Sequence, residues 1–351
     1  MRGEKSAAPA AAALLLVFAG MPAAFAQNPA PPVLPQDEAP HQGDTNEWWY
    51  FNGHLTGIDA TGQIHNYGFM VSFIRNAAGL EPKDAFYNGQ FAVTDLTRGT
   101  FDQDMAVFVT QPDVVPPQGG YNNTVGTWHM DGYEAVNHIT AALPDNNYSI
   151  NITLTQLTPA AFHGDQGIIP YGEFGVSAYY SYTNLFTYGT LVDHGTTVYI
   201  TGLSWHDHQY GNFLANAGTW NWFSIQLTND TQYMLYFLMD ANRNIVQKVG
   251  TLVHPDGSTV NLDPNAMTLT PLGTWTSPVT GTTYTQNWQV TVPGGTLTAT
   301  ALVKNQELYI PGAPGSAYWE GDSSITGTVN GVPVTGVGYV ELPPVFLGNQ
   351  Y

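Results

Sequence analysis

Trp48-Trp49-Tyr50-Phe51-Asn52-Gly53-His54-Leu55-Thr56 and Trp220-Asn221-Trp222-Phe223-Ser224-Ile225-Gln226-Leu227-Thr228 align without a gap, with Trp, Phe, Leu and Thr coinciding at four positions. Runs this rich in aromatic residues suit a pleated, half-buried surface. Each is followed by a second β-prone segment, from Tyr67 and from Tyr233. The pattern predicts two similar β units, each opening on an aromatic strand and joined near Phe213 to Gly218. The competing reading is one large β structure with two unrelated aromatic strands.

Outward from these runs, short β-prone segments recur between turn residues, for example Phe91 to Leu96 and Met105 to Thr110. From Ser149 to Thr155 the chain alternates cleanly, Ile150, Ile152 and Leu154 against Asn151, Thr153 and Thr155. No segment beyond the first 26 residues has helical periodicity. Closely spaced strands broken by Gly, Asn, Asp and Pro predict an all-β sandwich or barrel.

The N-terminus reads as a targeting segment. Arg2 and Lys5 precede an apolar stretch from Ala7 to Ala26, and Ala24-Phe25-Ala26 has the small-residue pattern of a cleavage site. Residues 1–26 are therefore expected to be a signal peptide cleaved after Ala26, making the protein secreted or periplasmic. Residues 27–40 (through Asn28-Pro29-Ala30-Pro31-Pro32) read as a proline-rich, extended leader. The two β units are expected over 41–215 and 216–351.

Charge narrows the partners. The chain has 8 Lys+Arg and 27 Asp+Glu. Losing Arg2, Lys5 and Glu4 with the signal leaves six and 26, a net charge of −20. Such a surface repels phosphate backbones, so no nucleic-acid partner is expected. With no cysteine, thiol catalysis and cysteine-based zinc sites are excluded. The sequence carries no signal of oligomeric state.

The chemical centre is Gly202-Leu203-Ser204-Trp205-His206-Asp207-His208-Gln209-Tyr210-Gly211. If a strand runs through it, Trp205, Asp207 and Gln209 point one way and His206, His208 and Tyr210 the other. An acid buried beside an indole must be hydrogen-bonded or protonated. His206 and His208 have a spacing that permits metal binding, but no third ligand is evident among His41, His54 and Glu320, and no metal is expected. Glu320, between Trp319 and Gly321, reads as a structural acid.

Four motifs in order, Glu47–Leu55 (EWWYFNGHL), Ser204–Gly211 (SWHDHQYG), Tyr318–Gly321 (YWEG) and Gly338–Leu342 (GYVEL), resemble the carotenoid 1,2-hydratase (hydroxyneurosporene synthase) and AttH-like group of lipocalin-like proteins. The resemblance spans about Gly43 to Leu342. It implies two tandem lipocalin-like β-barrels and, for members of known activity, cofactor-free addition of water to a C=C bond of an isoprenoid. Asp207 matches the acidic position of the hydratases, and Trp205 an aromatic two residues before it. Where those hydratases place a His-x-Trp pair, equal spacing gives Ala178 and Tyr180.

Protonating an alkene carbon makes a tertiary cation, which asks for an acid still protonated near neutral pH and for aromatic faces around the cation. The expected catalytic residues are Asp207, His208 and Trp205, with His208 or His54 orienting the acid or the water. Trp49, Tyr50, His54, Tyr180 and Tyr318 are expected to bind a small apolar substrate or lipid, with no cofactor and with peripheral contact at a membrane surface. The alternatives are an isomerase or cyclase using the same cation, and a lipid carrier without catalysis. Serine hydrolysis is disfavoured because no G-x-S-x-G elbow is present. Glycoside hydrolysis would need Asp207 to face Glu320 or Glu47.

Overall fold

The computed structural model describes residues 29–77, 84–172, 175–213, 219–240, 242–313 and 315–342. Within them the chain is almost entirely β, with short 3-10 turns such as Gln36–Glu38 and Pro264–Ala266. The first sheet contains β1 (Asn46–Asp59), β2 (Ile64–Asn76), β3 (Asp84–Asp95), β4 (Thr100–Pro112), β5 (Tyr121–Val125) and β6 (Trp128–Tyr133). It continues with β7 (Val136–Ala142), β8 (Tyr148–Gln156), β9 (Ala161–Phe162), β10 (Ile168–Pro170), β11 (Gly175–Asp193) and β12 (Thr196–Phe213). Its order is β4-β3-β2-β1-β12-β11-β8-β7-β6-β5, with β9 and β10 beside β11.

The second sheet contains β13 (Thr219–Leu227), β14 (Gln232–Met239), β15 (Ile245–Val253), β16 (Thr259–Asn261) and β17 (Thr268–Thr276). Then come β18 (Thr283–Val292), β19 (Gly295–Ala301), β20 (Glu307–Leu308), β21 (Tyr318–Val329) and β22 (Val332–Leu342). The order is β16-β15-β14-β13-β22-β21-β19-β18-β17, with β20 beside β21. In both sheets the first strand therefore pairs with the last, β1 with β12 and β13 with β22, antiparallel.

Both sheets curl into barrel-like shells because each has its own apolar inner face. The first wraps Trp49, Phe51, Phe69, Phe73 and Ile152, and the second wraps Phe223, Ile225, Leu235, Val290 and Trp319. The free edges of the first sheet meet where Gln111 Nε2 donates to the Thr124 carbonyl at 2.8 Å. Period-two alternation sends the other residues of β1 and β13 outward, and there they meet each other. A third buried cluster, including Tyr50, Met70, Trp205, Trp222, Met234 and Tyr339, lies between the sheets.

That interface brings aligned residues of the repeat into contact. Tyr50 and Trp222 pack edge-on with centroids 5.4 Å apart. Asn52 Nδ2 donates to Ser224 Oγ at 3.4 Å. Met70 and Trp205 lie opposite Asn52, and Met234 and Tyr339 lie opposite Ser224. The two units thus meet about a pseudo-two-fold running between Asn52 and Ser224. The approach is close: a Cβ on Gly68 would sit 2.4 Å from Asp322 Oδ2.

The signal segment 1–26 lies outside the described residues, and the expected boundary at 215/216 falls among residues 214–218, also outside them. The leader differs from expectation. From Pro29 to Pro40 it turns back onto the first barrel, where Leu34 packs on the core and the Pro35 carbonyl accepts from Gly120 N at 2.9 Å. Buried Glu38 accepts from Tyr182 OH at 2.9 Å, and its carbonyl accepts from Trp49 Nε1 at 3.0 Å. These bonds satisfy polar groups that burial would otherwise penalise, so the segment is ordered.

Candidate active site

Asp207 lies on the inter-sheet face of β12, opposite Tyr50 on β1 and Ser181 on β11. Both of its oxygens are engaged. Oδ2 accepts from Tyr179 OH at 2.6 Å, and Oδ1 accepts from Trp205 Nε1 at 2.6 Å and bonds Ser181 Oγ. Tyr179 is held in turn by Trp222 Nε1 of the second barrel, 2.9 Å away. Burial pushes the Asp207 carboxyl up to about 7, against the opposing pull of those three bonds.

Behind Ser181 sits His163, whose Nε2 is 2.6 Å from Ser181 Oγ and whose Nδ1 is 2.8 Å from Thr251 Oγ1. Burial pushes this imidazole down to about 3, so it is neutral. With Nδ1–H directed at Thr251, Nε2 accepts from Ser181, whose oxygen is then free to accept from a protonated Asp207. With Asp207 ionised, Ser181 donates to it, an arrangement His163 supports as the tautomer whose Nε2–H donates to Ser181 and whose Nδ1 accepts from Thr251.

The facing wall belongs to β21 and β22. Glu320 Oε1 accepts from Tyr50 OH at 2.5 Å, while its buried Oε2 has no hydrogen-bond partner among the described residues. Burial first, and then Glu341, hold Glu320 well above the ordinary carboxyl range. Glu341 lies opposite Glu320 on β22 and opposite Trp222 on β13. It is half-buried, and desolvation, aided by Asp207, pushes it up to about 7 against a bond from Trp220. Tyr318 OH donates to Gln90 at 2.5 Å across the same interface. His54, further along β1, is 2.9 Å from Asp322. Of the expected residues, Asp207, Trp205, Tyr50 and His54 therefore share the outer face of the first barrel, and Tyr318 stands on the second barrel across the same interface.

His208, Trp49 and Tyr180 do not join them. They point into the first barrel, where His208 stacks on Trp49 (4.8 Å) and its Nδ1 meets Tyr180 OH at 2.9 Å. The expectation that His208 orients Asp207 fails because adjacent strand residues face opposite sides of a sheet. His54 does not orient it either, since it pairs with Asp322. Tyr180 misses by one residue: opposite Asp207 stands Ser181, and Tyr179, not Tyr180, reaches the acid. Glu47 also points into the first barrel, so it cannot face Asp207, whereas Glu320 lies on Asp207's side.

Inside the first barrel Glu47 Oε1 is 2.7 Å from His41 Nδ1 and 2.9 Å from His208 Nε2. Burial favours protonation of Glu47, but His41 and His208 hold it at about 2. Burial likewise opposes charge on His41, which Glu47 and Asp37 nevertheless raise to about 9. One ligand atom from each of His41, Glu47 and His208 lies within 4.8 Å of the others, so this trio is capable of holding a metal ion. Its donor atoms are committed to one another as an ion-paired network with Arg75 3.7 Å from Glu47. His206, by contrast, directs Nδ1 to the Tyr50 carbonyl. Two surface cavities, of about 470 and 340 Å³, lie elsewhere, beside Arg98 and His194 and beside Pro116 and Tyr133.

The sequence reading missed Tyr179, Ser181, His163, Trp222 and Glu341. A signal for Glu341 was present, since Trp205-x-Asp207 and Tyr339-x-Glu341 are both aromatic-x-acid pairs.

The profile of a family described as AttH-like matches residues 25–344. Kievitone hydratase from Fusarium solani subsp. phaseoli is 23% identical over 246 residues, covering 63% of this chain and 67% of that protein. Among solved structures, a protein described as an AttH from Nitrosomonas europaea superposes with a TM-score of 0.76 at 24% identity, covering 91% of this chain and 98% of that one. Kievitone hydratase from Nectria haematococca superposes with a TM-score of 0.71 at 20% identity, over 91% and 96%. These likenesses establish the fold.

Proposed function

We propose that this chain, which belongs to the AttH-like family, is a hydro-lyase that adds water to, or removes it from, a C=C bond of an apolar substrate, with Asp207 as the acid. The observation that carries the reading is Asp207 itself: a buried carboxyl pushed up to about 7, flanked by aromatic rings and gripped at both oxygens. A hydratase is also what the kievitone hydratase relative is named for. An isoprenoid is the substrate class we favour, from the resemblance to carotenoid 1,2-hydratases, and the expected signal peptide sets the reaction outside the cytoplasm.

In this reaction the Asp207 O–H bond breaks as a C–H bond forms with the alkene's π electrons. The carboxylate left behind gains full value from Tyr179, Trp205 and Ser181, which need no reorientation beyond the Ser181 hydroxyl. Tyr50, Trp205 and Trp222 surround the developing cation, each ring contributing up to about 2 kcal/mol when dry. An isomerase or cyclase would share this first step and differ in how the cation is quenched.

The test is incubation of wild type and Asp207→Asn with acyclic isoprenoids and their tertiary alcohols in H₂¹⁸O. Label in a tertiary alcohol with wild type alone supports the reading. Equal ligand binding by both proteins with no product from either would replace it with a carrier.

A further inference from the structure

We propose that Glu341 is the second catalytic group of this site, the base that takes a proton from the attacking water, so that acid and base come from opposite barrels. The inference rests on the reading of Asp207 as the acid and deepens it.

The pseudo-two-fold carries it. Tyr50 and Trp222 are aligned positions of the repeat, and they touch. Across the last strand of each barrel, Tyr50 stands opposite Asp207 and Trp222 stands opposite Glu341. Glu341 is thus the structural counterpart of Asp207, just as Tyr339 is the counterpart of Trp205 opposite Ser224 and Asn52. Two chains of contacts link the neighbourhoods of the two acids. Asp207 is bonded to Tyr179, which is bonded to Trp222, the neighbour of Glu341. On the other side Tyr50, opposite Asp207, is bonded to Glu320, opposite Glu341.

The two acids differ in what water can reach. Asp207 is 4% exposed, so burial keeps its proton on, and Tyr179 and Trp205 are placed to stabilise the carboxylate once that proton has gone to carbon. Glu341 is half-buried, as are Trp48, Trp220 and Tyr318, which pack against the inter-sheet cluster. Trp48 and Trp220 are again aligned positions of the repeat, and Trp220 also bonds Glu341. Burial pushes both acids up to about 7, and Asp207 adds to the cost of ionising Glu341, so near neutral pH one of the two can hold its proton while the other gives it up.

The step balances as follows. With Asp207 protonated and Glu341 ionised, the Asp207 proton forms the new C–H bond and the alkene becomes a cation. A lone pair of water forms the C–O bond, one O–H bond of that water breaks, and its proton passes to Glu341. Proton exchange with solvent then resets the pair, and no other reactant is consumed. In the reverse direction Glu341 protonates the leaving hydroxyl and Asp207 removes the proton from carbon.

The test uses a cation mimic, so that it does not depend on knowing the substrate. N,N-dimethylgeranylamine, protonated at neutral pH, and neutral geranyl methyl ether are titrated into wild type, Asp207→Asn and Glu341→Gln, following tryptophan fluorescence, and turnover on the isoprenoid panel is measured alongside. Wild type is expected to prefer the amine, and each variant to lose roughly tenfold or more of amine affinity while keeping that for the ether. Glu341→Gln is also expected to lower kcat by roughly 100-fold or more. Unchanged amine affinity in Glu341→Gln, or no amine preference in wild type, overturns the proposal, as does full turnover by Glu341→Gln. If the amine preference needs both acids but wild type makes no alcohol, a cation site built by Asp207 and Glu341 stands, while the hydratase reading falls and with it the role of Glu341 as the base for water.

Discussion

Replacing Asp207 by Asn should stabilise the fold at pH 8 and not at pH 5. A carboxyl raised from 3.8 to about 7 binds its proton more tightly folded than unfolded. The native state therefore gives up stability as pH rises from about 4 to about 7. Each pKa unit is worth about 1.4 kcal/mol. Of the roughly three-unit rise, about two units lie above pH 5, so wild type loses about 3 kcal/mol between pH 5 and pH 8 at this one site. Asn pays nothing for ionisation. Its Oδ1 still accepts from Ser181 and Trp205, and the cost of turning Tyr179 from donor to acceptor is the same at both pH values and cancels. Urea unfolding of both proteins, followed by tryptophan fluorescence at the two pH values, should show the variant-minus-wild-type stability growing by about 3 kcal/mol. A difference that stays constant with pH would refute the claim that Asp207 is held protonated by burial.

Other consequences can be checked separately. Ser181→Ala removes a donor that favours the ionised form of Asp207, so the alkaline limb of the pH–rate profile should move to higher pH; a downward shift would contradict the bonding assigned to Oδ1. Glu47→Gln breaks a buried ion-paired network and should cost about 3–5 kcal/mol in thermal or urea unfolding. That network keeps its full contribution between about pH 4.5 and 6.5. It fades as pH falls towards about 2, where Glu47 protonates, or rises towards about 9, where His41 discharges, and the variant should flatten this dependence. Gly68→Ala drives a methyl into Asp322 at the interface and should cost about 1–3 kcal/mol by chemical denaturation.

Much of the fold was legible because its signals are local. Alternation in Ser149 to Thr155 and the aromatic runs at Trp48 and Trp220 reveal strands without reference to anything distant. The repeat suggested two like units but not how they pack; the structure brings its aligned positions together, Tyr50 on Trp222 and Asn52 on Ser224. The site was legible only in part. Asp207 stood out, but proximity in sequence drew His208 towards it, although the same alternation sets them on opposite faces. Tyr180 failed for a related reason. Only the β11–β12 register shows that Ser181 stands opposite Asp207, and a one-residue change of register reverses every side chain. His163 reaches the acid through Ser181, and Glu341 through the packing of one barrel on the other. The aromatic-x-acid pair at Tyr339 and Glu341 marks the latter residue, but no local pattern marks its place near Asp207, and His163 has no such signal at all. The leader's composition suggested an extended segment, whereas Glu38 finds Tyr182 and anchors it to the first barrel.

The central claim is that chemistry occurs between the barrels at Asp207 and not inside the first barrel at His208. The most direct measurement compares turnover by Asp207→Asn with turnover by His208→Gln, each at a temperature where circular dichroism shows it folded. Asp207→Asn is expected to lose roughly 100-fold or more in kcat, and His208→Gln to keep its kcat with a lowered melting temperature. Loss of kcat in folded His208→Gln, with Asp207→Asn still active, would contradict that claim.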